Sequence, residues 1–143
     1  MGLVHNPNVV SDGLVCCWDA ANKRSYPGAG TTWTDLVLQN AGSMSPSPTF
    51  ESAKAGVMSF DGTDDYANLG VIPNTELAFA DFSIQAWVKT TSTKKQSILF
   101  KGDGDGVWES GEKSLWIEGV GYPWFEGFHN EYIPGTGLTV NDG

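Results

Sequence analysis

Residues 82–90 read Phe82-Ser83-Ile84-Gln85-Ala86-Trp87-Val88-Lys89-Thr90. On an extended chain Phe82, Ile84, Ala86 and Val88 fall on one face, and Ser83, Gln85, Trp87 and Lys89 on the other. A period of two is the pattern of a half-buried β-strand, so this run anchors an all-β reading. Outward from it, further strands are expected over 14–19, 57–61, 66–69, 97–101, 114–118, 123–129 and 138–140. Turn chemistry separates them: Pro27-Gly28, Asp61-Gly62, Pro73-Asn74, the Gly102 to Gly106 stretch and Pro134-Gly135. Short strands with a turn signal every ~8–12 residues indicate a sandwich or barrel. Gly or Pro interrupts almost every stretch long enough for three helical turns. Residues 41–56, rich in Ser, Pro, Ala and Gly, read as a long surface loop crossing between sheets.

The 143 residues fit one domain, large enough to bury a core without disulfide or metal staples. Charged residues make up 17% of the chain, below the ~25% usual in globular domains. Their balance is acidic, with a formal charge of −9. That field repels phosphates and anionic membranes, and no basic stripe offsets it, so nucleic acid and membrane surfaces are excluded as partners. Lys23-Arg24 and Lys94-Lys95 sit beside turn residues and read as solvated loop charges. Cys16 and Cys17 are adjacent in a strand-like run, with no third cysteine to pair with, and read as small packed hydrophobes. No segment is apolar enough to span a membrane as a helix. The first residues, Met1 to Pro7, lack the basic and apolar regions of a signal peptide.

Several segments in order carry a family resemblance. Gly13-Leu14-Val15 leads through Trp18-Asp19-Ala20-Ala21-Asn22 to Ser25-Tyr26-Pro27-Gly28 and Gly30-Thr31-Thr32-Trp33-Thr34-Asp35-Leu36. Ser59-Phe60-Asp61-Gly62-Thr63-Asp64-Asp65-Tyr66 and Asp81 through Val88 follow. Ile98-Leu99-Phe100-Lys101-Gly102-Asp103 then precedes Lys113-Ser114-Leu115-Trp116-Ile117. This order resembles the laminin G-like branch of the concanavalin A-like lectin/glucanase superfamily. The opening block is similar to versions found in bacteriophage structural proteins. The resemblance implies an antiparallel two-sheet jelly-roll β-sandwich over residues 12–143, preceded by an N-terminal arm over 1–11. In that family a segment like Leu138-Thr139-Val140-Asn141-Asp142-Gly143 leads into a K-W-H-H-V-type strand and several more. The resemblance therefore implies a domain incomplete relative to the family, with edges and apolar surface that favour pairing with another chain.

Glucanases of the superfamily place paired carboxylates on one strand with E-x-D-x-x-E-type spacing. Here Glu109 and Glu112 are three apart, and Glu126 and Glu131 five apart, so alternation sends each pair to opposite faces. His5 and His129 stand in no hydrolase or zinc motif. A non-enzyme is expected. Asp103, Asp105, Glu109 and Glu112 crowd one glycine-rich loop, read either as a solvated acidic hairpin loop or as a Ca²⁺ site of hard oxygens. Asp61, Asp64 and Asp65 form a second acidic cluster, for which Asp-Gly turn chemistry is the plainer account. Trp116, Trp124, Asn130 and Tyr132 supply the aromatic and hydrogen-bonding types a glycan site needs, although sandwich tryptophans are more often packing residues. Trp18 and Trp33 read as packing residues. Two functions are carried forward. The first is a non-catalytic virion structural or adhesive protein, of head-decoration or tail-fibre type, held among other protein subunits or as a homo-oligomer. The second is a carbohydrate-binding lectin module, with or without calcium.

Overall fold

The structure is a computed structural model that describes residues 11–46, 48–73, 75, 81–103, 105, 107–119, 121–127 and the backbone of 131–134. It is all-β: nine strands among the described residues, every pairing antiparallel, and one 3₁₀ turn, η1 (Ser52–Lys54). The chain divides into two compact units, Met1–Thr75 and Glu76–Gly143.

In the first unit β1 (Thr32–Thr34), β2 (Ala41–Ser45) and β5 (Tyr66–Asn68) form a three-stranded sheet in that order. A separate ribbon joins β3 (Thr49–Glu51) to β4 (Val57–Ser59) through η1. The small residues of β2 are poor strand formers. Gly42 earns its place sterically, because a Cβ there would lie 3.0 Å from the Asn68 carbonyl oxygen and from Leu69 Cδ2. Met44 and Tyr26 are buried, and the Tyr26 ring meets Phe50 edge-on at 5.1 Å.

The irregular N-terminal segment of this unit is held by side chains rather than by a ladder. Asp35 is fully buried. Its carboxylate accepts the amides of Cys17 (2.6 Å), Val37 (3.2 Å) and Leu38 (2.5 Å). The Leu36 amide returns a bond to the Cys17 carbonyl at 2.8 Å. Ser25, also fully buried, accepts the Asp19 amide and donates its hydroxyl to the Thr34 carbonyl. Residues 14–19, expected as a strand, are therefore fixed without forming one. Cys16 and Cys17 are half-buried free thiols. Burial, with Asp35 contributing to both and Asp19 to Cys17, pushes both thiols up, so they stay protonated at neutral pH.

The second unit holds a four-stranded meander, β6 (Gln96–Lys101), β7 (Lys113–Ile117), β8 (Pro123–Gly127) and β9 (Glu131–Pro134). Leu99 and Phe125 both oppose Leu115, giving the sheet an apolar face. Trp116 opposes Trp124 and Ser114 opposes Glu126, giving an aromatic and polar face. A register shift between Ser97 and Leu99 marks a bulge at Ile98.

Three expectations are corrected. Residues 41–56 are not a loop, since they carry β2, β3 and η1. Residues 14–19 form no strand, as described. Most importantly, Phe82 to Thr90 forms no strand either, and Asp81 to Lys89 are all exposed. Among the described residues no hydrogen bond reaches the backbone of 82–89. Alternation specifies two faces but supplies no neighbour, and a strand exists only against a partner. The candidate strand 138–140 and residues 1–10 of the expected arm lie outside the described residues.

Asp35→Asn keeps the volume but replaces one acceptor oxygen with a donor facing amides. It is expected to lower unfolding free energy by about 2–3 kcal/mol, read by denaturant melts, because hydrogen bonds to a charged group are lost in a buried setting.

Candidate functional site

The aromatic face of the β6–β9 sheet is built by cross-strand pairing. Trp116 and Trp124 stand opposite each other on β7 and β8, and their rings stack with centroids 6.2 Å apart and planes 15° from parallel. The Lys95 ammonium lies 3.6 Å from the Trp116 ring centroid, a cation–π contact. The Trp116 indole N–H donates to Glu118 Oε1 at 2.8 Å. Two residues apart on one strand, Trp116 and Glu118 share a face, so that spacing was readable in the sequence. The contact from Lys95 was not, because Lys95 lies just before β6 and is placed by the register of β6 on β7.

Of the four residues expected to bind a glycan, the structure brings Trp116 and Trp124 together. Trp116 is only 6% exposed, sealed by Lys95 and Trp124, whereas Trp124 is half-buried. Trp124 is therefore the more exposed of the two rings. Tyr132 lies on β9 with its backbone opposite Glu126, and its side chain is outside the described residues. Asn130 lies outside them altogether, as do His5 and His129.

In the acidic loop between β6 and β7, the carboxylates of Asp103, Asp105 and Glu112 accept amides of the loop's own backbone. Glu112, 7% exposed, accepts the Asp103 amide at 3.2 Å and the Glu109 amide at 2.8 Å. Asp103 caps the Asp105 amide at 3.0 Å, and Asp105 caps the Val107 amide at 2.7 Å. Each is the turn in which an Asp side chain bonds the backbone two residues on. The Lys101 ammonium donates to the Gly111 carbonyl at 3.3 Å across the loop base. A Cβ at Gly102 would press on the ring of Phe100 and on the Glu112 carboxylate, which would have to shift. Asp103, Asp105, Glu109 and Glu112 do not converge as a metal-ligand group.

Among the described residues, three carboxylates do converge in Asp61, Asp64 and Asp65, whose ligand oxygens lie within 4.8 Å of one another. Asp61 accepts the Thr63 amide at 2.8 Å, and its own amide donates to Asp65 Oδ2 at 3.1 Å. The Thr63 amide chiefly holds the Asp61 carboxyl below the usual range. These oxygens are of the type that could hold Ca²⁺, but the turn already employs those of Asp61 and Asp65, and Asp61 and Asp64 are exposed. A shallow pocket of about 200 Å³ beside Tyr26, Phe50 and Lys23 is smaller than the ~300 Å³ at which ligand pockets begin.

No family model matches the chain, and no curated protein matches it. A solved structure does: the crystal structure of an S-layer domain-containing protein (residues 221–444) from Clostridium thermocellum, with a TM-score of 0.65 and 22% identity. The match covers 87% of this chain and 58% of that one. It shows a shared β fold. Among the described residues no helix is long and apolar enough to cross a membrane.

Glu112→Gln is expected to destabilise the unit by about 1–2 kcal/mol, equally in EDTA and in saturating Ca²⁺, as the loss of a charged backbone cap. A loss seen only with calcium, in parallel thermal melts, would make Glu112 a metal ligand instead.

Proposed function

We propose that this chain is a non-catalytic structural or adhesive subunit, of the virion head-decoration or tail-fibre type, on a concanavalin A-like jelly-roll sandwich. The observation that carries the assembly part is the segment 82–89. It has the alternation of a half-buried strand, yet it is exposed and its backbone has no partner among the described residues. A segment of that kind gains most by pairing with another chain. The phage-like opening block supports the virion assignment. The solved neighbour is named as an S-layer domain-containing protein, which lends the assembly reading weight. Of the converging carboxylates, those of Asp61 and Asp65 are engaged by backbone amides, which suits turn formation better than acid–base work.

A second reading, a lectin module, is favoured by the Trp116–Trp124 stack with Glu126 on the same face. Trp124 would be its stacking ring. Multi-angle light scattering and a glycan array separate the two. The assembly reading expects a mass above one chain that rises with concentration, without selective glycan binding. A strict monomer that binds particular glycans, and loses them on Trp124→Ala, would contradict it.

A further inference from the structure

The exposed segment has a self-complementary sequence. We propose that residues 81–89 form an association edge at which two copies of this chain pair antiparallel across a two-fold axis through Gln85. The inference rests on the assembly reading and names its surface and its partner. With Gln85 opposite Gln85, Ile84 faces Ala86, Ser83 faces Trp87, Phe82 faces Val88, and Asp81 faces Lys89. Every pair then joins residues of the same face, as antiparallel registry requires. The apolar positions meet apolar positions, and the only charges of the segment meet their opposites at both ends. Sliding the register by two residues, the smallest step that keeps the faces matched, places Lys89 opposite Ser83 or beyond the segment. One register therefore satisfies both face and charge, and a two-fold axis repeats each pair.

Two observations agree. Phe82, Ile84 and Val88 keep 36–46% of their surface exposed, whereas Trp87 on the other parity keeps 84%. Phe82, Ile84 and Val88 are thus less exposed than Trp87 on the other parity. Phe82 also meets Phe125, on the apolar face of the β6–β9 sheet, with ring centroids 5.7 Å apart. That contact seats one end of the segment on the sheet. A second copy's strand supplies the backbone partners that 82–89 lack among the described residues.

Gln85→Cys tests the axis directly. Opposed Cα atoms in an antiparallel ladder stand about 4.5–5.5 Å apart, within the roughly 4.4–6.8 Å a disulfide spans. Mild oxidation of the full-length Gln85→Cys chain should give a covalent dimer whose 85–85 linkage is mapped by peptide mass spectrometry. Ser83→Cys should not cross-link, because its two copies would lie about 13 Å apart along the ribbon. Lys89→Asp should weaken association roughly fivefold to tenfold by sedimentation, and adding Asp81→Lys should restore it. Association that persists without an 85–85 disulfide and ignores the charge swap overturns this interface but leaves the assembly reading standing. A monomer at every concentration overturns both.

Discussion

The Asp35 carboxylate holds three amides from two stretches of chain, Cys17 on one side and Val37 and Leu38 on the other. It sits immediately after β1, the strand from which the first sheet is built outward through β2 to β5. Buried backbone groups must find partners, and an irregular segment has no ladder to provide them. Asp35 and Ser25 take over that task, tying residues 17–19 to the end of β1. Among the described residues of the unit, the largest fully buried side chains, Asp35 and Ser25, are thus polar and hydrogen-bonded.

The second unit repeats the device. Glu112, at the start of β7, gathers amides of a glycine-rich loop as Asp35 gathers those of an irregular arm. Carboxylates that suggest metal ligation by composition serve here as backbone caps. The same reasoning applies to Asp61, whose bond from the Thr63 amide closes the turn before β5. On the sheet itself a stacked tryptophan pair, covered by Lys95, stabilises the polar face through cross-strand contact.

Much of the sheet was legible in the sequence. β4 through β8 fall on runs where β-branched or aromatic residues alternate between turn dipeptides. The strands β1, β2, β3 and β9 were not legible. Three or four residues carry too little periodicity, and Ala41-Gly42-Ser43 is chosen for close approach rather than strand propensity. The opposite error at 82–90 has one cause: alternation is a local property, whereas hydrogen-bond pairing is not. At the candidate site, residue types were readable, but not their employment. Nothing in the spacing of Glu112 says that it turns inward to amides, or that Lys95 closes over Trp116.

Among the described residues, strand ladders and buried carboxylates meet much of the backbone, and segment 82–89 has neither. On this reading the partner of segment 82–89 is a second copy of the chain. Amide hydrogen exchange of peptides spanning 82–89, followed from dilute to concentrated protein, tests this most directly. The account predicts rapid exchange in the dilute monomer and marked protection as concentration rises. Protection already complete in the dilute monomer, or exchange indifferent to concentration, would contradict it.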